Sequence, residues 1–221
     1  MKNLNFIFII LLISCSSNQK ITITNRGEII SELDYIGMID QKYAGIPFEE
    51  LTNKYGNEKA WKIFETKRDS VSLDNQNRIK NLYLKYGYLG IKEVGKENSV
   101  KFWLPIQHAD NNVEFQKKML KAMKKQVKIN NINKSNYAML EDRIAVNTNQ
   151  KQRFGSQVTY NDLGQAIPKN GLIDSLNIDR LRSEYELQSF KKYYNEMTIM
   201  HFEMNKESFI KNGITEPKLY E

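Results

Sequence analysis

The chain is poor in residues that carry several common chemistries. Its 221 residues include one cysteine and two histidines. A lone cysteine, Cys15, excludes an intrachain disulfide and any metal site built on several cysteines. His108 and His201 stand far apart in sequence, which argues against the clustered ligands of a zinc site, and the residues call for neither metal nor cofactor. The eleven glycines are scattered and form no Gly-rich phosphate loop. Ser156 follows Gly155 but lacks the Gly-x-Ser-x-Gly frame of a nucleophile elbow. No apolar run reaches the ~20 residues that a membrane-spanning helix needs.

What remains is ordinary globular material. Hydrophobic residues make up 40% and charged residues 27%, enough in a chain of this length for one domain with its own core. Lys and Arg number 33 against 26 Asp and Glu, a formal charge of +7. The lysines are spread over predicted helix faces and few aromatics interleave with them. They read as a solvated surface, with little support for nucleic-acid binding.

The first residues are more specific. Lys2 precedes an unbroken apolar run of eight residues, Phe6 to Ile13, and then Ser14-Cys15. This is the layout of a secretory signal, too short to span a bilayer. The stretch "LISC" resembles the bacterial lipoprotein signal box, in which cleavage occurs before a cysteine whose thiol takes a diacylglycerol. The expectation is a signal peptide over 1–14, lipidation at Cys15, and a membrane-anchored protein of the bacterial cell envelope facing the periplasm or the outside. Its membrane partner is reached through that lipid. An ordinary signal with an incidental cysteine is the alternative.

Residues 15–27 read as a polar tether, 28–195 as the folded domain and 196–221 as a C-terminal extension. Helical spacing of Ile29, Ile30, Leu33, Ile36 and Ile39 predicts a helix over 28–43. Two helical pieces flank Gly56, and Ser72 is a plausible N-cap for a helix ending at Gly87. Asn111 to Ile129 is strongly amphipathic, with Phe115, Met119, Ala122, Met123 and Val127 in one stripe. Asn111 and Glu114 have the spacing of a capping box there. Residues 135–148 carry apolar groups on nearly all sides, which predicts a central helix. Gln152 to Tyr160 alternates like a strand, residues 161–171 read as a loop with a returning strand, and a last helix covers 177–196. The fold class is therefore mainly α, a single helical domain with one small β-hairpin; an α+β arrangement is the alternative.

The stretch "FWLPIQHADNNVEFQ", Phe102 to Gln116, holds His108 at the end of an apolar helical run. Alone it reads as well as a capped helix end as it does a site. Other motifs fall into order around it: Asp40-Gln41, Asp74 and Asn77, Gly87-Tyr88-Leu89, Val94-Gly95, Gln107 to Asp110 with Phe115-Gln116, Asp142-Arg143, Gln152 with Phe154 to Gln157, and Arg182. In that order they resemble the bacterial domain-of-unknown-function family 6624 over roughly residues 36–194. The chain departs from the family pattern at Tyr88-Leu89, where members carry Trp-Pro, at Pro105, and at Phe154, which lacks a Tyr hydroxyl. The resemblance implies no reaction; it marks which polar residues recur as a set.

Such polar residues beside apolar segments must be paired or meet a ligand, because burying them unpaired costs several kcal/mol. His108 is a candidate general acid/base, oriented by Asp110 or Asp142. Gln107, Arg143, Gln152, Gly155, Gln157 and Arg182 are candidate ligand contacts, the arginines as carboxylate or phosphate clamps and Gly155 as an opening to the backbone. The expected function is binding of a small polar or anionic ligand in a Gln/His/Arg pocket. A metal-independent hydrolase or transferase using His108 is one alternative. A structural envelope protein, whose polar set only fixes the fold, is another.

Overall fold

The computed structural model describes residues 18–221. The predicted signal peptide and Cys15 lie outside the described residues. Ten helices and one two-stranded ladder make up the regular structure there, so the chain is mainly α with a small β-hairpin. No helix among the described residues is long and apolar enough to cross a membrane.

Helix α1, Ile23–Ala44, starts inside the segment expected to be a tether. Its start is a capping box: the Thr22 side chain accepts from the Asn25 amide, and Asn25 accepts in return from the Thr22 amide. Helix α2, Glu49–Tyr55, and α3, Asn57–Tyr86, are separated at Gly56 as expected. Helix α3 is one rod of 30 residues, about 45 Å long. The predicted cap at Ser72 is absent because no Gly or Pro interrupts residues 57–86; the Ser72 hydroxyl accepts instead from Gln76.

A short helix α4, Ile91–Val94, leads into α5, Lys96–Gln107, which contains Pro105. Helices α1, α3 and α5 pack on one another through Ile29, Leu33, Ile36, Ile79, Phe102 and Ile106. Helix α6, Val113–Lys128, and α7, Lys134–Asn147, close the other side of α5 with Phe115, Met119, Met123, Tyr137 and Leu140. The N-cap of α6 is Asn112, whose side chain accepts from the Phe115 amide, one residue later than expected. Helix α7 is central as expected: no residue from Lys134 to Val146 is fully exposed.

Strand β1, Val158–Tyr160, pairs antiparallel with β2, Ala166–Pro168. The strand predicted from Gln152 is thus shorter, because residues 153–156 are drawn out of the ladder by Asp142. Only Gln152 makes a single bridge, to Leu172. The helix predicted over 177–196 is two, α8 (Ile178–Glu184) and α9 (Phe190–Met204). Glu186, at φ 59°, turns the chain between them, and the Leu187 amide bonds back to the Arg182 carbonyl. Helix α9 runs on past residue 196, and α10, Lys206–Lys211, follows. The C-terminal Tyr220 returns to donate to the Ala166 carbonyl at 2.7 Å.

Candidate functional site

The polar residues singled out by the sequence divide into two groups. The first lines a cleft of about 590 Å³ where α1, α3, the α5–α6 turn and α7 meet. Asp40 and Tyr43 come from α1, Arg68, Asp69 and Ser72 from α3, His108, Asp110 and Asn111 from the turn, and Arg143 from α7.

His108 is the C-cap of α5, so its ring leaves the helix end and faces back to α1. Its Nδ1 lies 2.8 Å from Oδ2 of Asp40, which is only 7% exposed. A carboxylate can only accept, so Nδ1 carries the proton and Nε2 is left with its lone pair in the neutral ring. Gln41 donates to the same carboxylate oxygen at 3.2 Å. The sequence points to Asp110 or Asp142 for the orienting role; the geometry gives it to Asp40, 68 residues away.

Asp110 holds Arg143 instead. Nε and the second guanidinium nitrogen of Arg143 donate to the two Asp110 oxygens at 2.7 and 2.5 Å, a bidentate pair. Asn147 donates to the same carboxylate at 2.8 Å. Partial burial pushes the Asp110 carboxyl up, but Arg143, Asn147 and Gln116 pull it down further, and it lies below the ordinary carboxylate value. Arg143 does not pair with its neighbour Asp142, because successive helix residues point to different faces.

A carboxamide shell supports the turn. Gln76 on α3 donates to the Asn111 side chain at 2.8 Å and accepts from Asn112 at 3.0 Å. Gln116 on α6 donates to the carbonyls of Ile106 and Gln107. Gln107 itself turns inward, away from the cleft lining, with its side-chain oxygen buried and unpaired.

The second group clamps the loop 152–157 and does not line the cleft. Asp142, fully buried, accepts from the amides of Arg153, Phe154 and Ser156 at 2.8, 3.1 and 2.8 Å. Burial nevertheless pushes its carboxyl above the ordinary value, and the three amides offset that only in part. Gln152 donates to the carbonyls of Gln157 and Lys169 and accepts from the Gln157 amide. Arg182, 1% exposed, donates to the carbonyls of Phe154, Gly155 and Gln188 and stacks over Tyr193. Burial lowers its pKa. Gly155 has φ 63°, and a Cβ there would meet Leu172 at 3.0 Å and the Tyr194 hydroxyl at 3.3 Å. The opening expected beside it is filled by side chains.

The structure thus brings His108, Asp110 and Arg143 into one cleft and sends Gln107, Asp142, Gln152, Gly155, Gln157 and Arg182 to the interior or the loop clamp. Sequence reasoning missed Asp40, Arg68, Asp69, Ser72 and Asn111 as cleft residues. For Asp40 a signal existed, since Asp40-Gln41 is among the motifs in the family order. Arg68, Asp69 and Ser72 offered none beyond their place on α3. Among the described residues no three His, Cys, Asp or Glu side chains gather where a metal ion would be held.

No curated protein and no solved structure matches the chain significantly. A family profile matches residues 49–200, which includes His108, Asp110 and Arg143 but not Asp40. The chain therefore belongs to the family of unknown function DUF6624.

Proposed function

We propose that this protein is an envelope-anchored bacterial lipoprotein whose helical domain binds a small polar ligand in the cleft around His108. The observation that carries the binding reading is the Asp40–His108 pair. The carboxylate is buried behind the ring, the Nδ1 contact is 2.8 Å, and the His108 side chain is 32% exposed to a cleft of about 590 Å³. That volume lies within the range of small-molecule sites. Arg68 and Arg143 are balanced in the lining by Asp40, Asp69 and Asp110. Such a lining suits a polar or zwitterionic ligand better than a purely anionic one, and Arg182 takes no part. The anchoring half of the reading rests on the signal layout and on Cys15.

The same pair favours a second reading, a hydrolase or transferase with His108 as general acid/base. Asp40 fixes the ring tautomer and would stabilise an imidazolium, as an orienting carboxylate does. The test is a thermal-shift screen of the purified protein against amino acids, sugars and phosphate esters, repeated on His108→Asn. A binding module shifts with one class and retains much of that affinity in the variant. An enzyme still binds but loses turnover by ~10²-fold or more. No shift with any class, or a shift that Arg143→Met leaves unchanged, would leave the cleft without a ligand role.

A further inference from the structure

A second cleft, of about 530 Å³, lies between the C-terminal end of α3 and the outer face of α6. Its rim carries Lys118, Lys121 and Lys125 from α6 and Tyr83 and Leu84 from α3. All three lysines are exposed, and no carboxylate of the described residues pairs with them. The single acidic residue of α6, Glu114, is taken by Lys117. Leu84 is 65% exposed in the midst of these charges, and Lys85 beside it is exposed too.

The start of the described chain is seated in this same cleft. Asn18 lines it, and the Gln19 amide donates to the Lys85 carbonyl at 2.7 Å. Gly87, at φ 80°, leaves the space that the Asn18 side chain occupies; a Cβ there would stand 2.6 Å from the Asn18 amide nitrogen. Cys15 is three residues upstream, so its Cα lies within roughly 11 Å of Asn18 however the chain runs. A lipid on Cys15 would hold this face near the bilayer.

We propose that the Lys118–Lys121–Lys125 face is a membrane-docking surface for anionic phospholipid headgroups, with Leu84 entering the interface. The inference rests on the lipoprotein reading of Cys15 and adds to it a second attachment. The charges complement anionic headgroups, each lysine near such a surface multiplies partition about fivefold, and an exposed leucine among lysines is the composition of an interfacial contact. Docking here also sets the orientation. The cleft residues Arg68 and Ser72 lie about 20 Å along α3 from Leu84 and Asn111 about 10 Å along α6 from Lys118, so docking fixes how near the His108 cleft comes to the headgroups.

The test compares the full chain, lipidated at Cys15, with the full-length Cys15→Ala chain. Each is made with and without Lys118→Glu/Lys121→Glu/Lys125→Glu. Partition is measured onto phosphatidylglycerol-containing vesicles and onto pure phosphatidylcholine vesicles. In the Cys15→Ala background, where the N-terminal leader is common to both forms, the triple substitution should cost at least about 100-fold on anionic vesicles and little on neutral ones. Gln in place of Glu should act in the same direction. The control Lys54→Glu/Lys59→Glu/Lys62→Glu, on α2 and the first turns of α3, should cost far less. Equal losses for the two triples, or partition indifferent to vesicle charge, would overturn the docking surface. Failure of the wild-type chain to take a lipid label would instead overturn the anchoring reading, whatever the lysines do.

Discussion

His108 and Asp40 are joined at 2.8 Å although 68 residues separate them, one at the C-terminal end of α5 and the other near the end of α1. The contact follows from the packing of α1 against α5, which places the last turn of one beside the last turn of the other. The buried carboxylate decides which ring nitrogen carries the proton, and so which one meets the cleft.

Asp40→Asn should therefore release the tautomer while leaving the helix packing intact. Imidazole nitrogen NMR shifts of His108 should show Nδ1 protonated in the wild type and mixed protonation in the variant. On the enzyme reading turnover should fall on the order of 10²-fold, whereas on the binding reading affinity should change little, as for His108→Asn. An unchanged tautomer would remove Asp40 from the site.

The Asp110–Arg143 pair should be modest in energy. Its side chains are 46% and 28% exposed, so solvent screens it, and a double-mutant cycle of Asp110→Asn with Arg143→Met should give a coupling of about 1 kcal/mol. The roughly 3–5 kcal/mol typical of breaking a buried pair is the outcome that would contradict this placement.

The same pair predicts a pH dependence. Asp110 has a carboxyl below its ordinary value in the folded chain. Its contribution is complete above the unfolded value of about 4 and is lost as pH falls through the lowered folded value. Thermal melts across that acid range should show wild type losing stability relative to Asp110→Asn. Parallel curves would show that Asp110 titrates alike in both states.

The loop clamp should behave in the opposite manner to the cleft. Arg182→Met strands three carbonyls, and Asp142→Asn leaves three amides competing for one oxygen. Each should cost about 3 kcal/mol or more in stability. Ligand affinity measured on the folded fraction should be unaffected. A variant that melts as wild type but no longer binds would return Arg182 or Asp142 to the site.

Anchoring is tested apart from the fold. Cys15→Ala should abolish metabolic lipid labelling and release or mislocalise the protein. Labelling and fractionation unchanged by the substitution would end the lipoprotein reading.

The sequence by itself determined the local elements. The five-residue apolar stripe of α6 fixes a helix with one buried face, since only a period near 3.6 brings Phe115, Met119 and Met123 together. Apolar residues on several sides of 134–147 fixed α7 as central, and Gly56 and Gly87 marked helix ends at φ 74° and 80°. The tertiary structure alone decided which polar residues share a site. Spacing along a chain carries no information on a contact between α1 and the end of α5, so Asp40 stayed hidden as the partner of His108. Adjacency even misled: Asp142 and Arg143 are neighbours, yet a helix turns about 100° per residue, so one faces the loop amides and the other the cleft. Burial then separated the two polar groups, because a fully enclosed carboxylate or guanidinium needs fixed donors or acceptors, and the backbone of 152–157 and 188 supplied them.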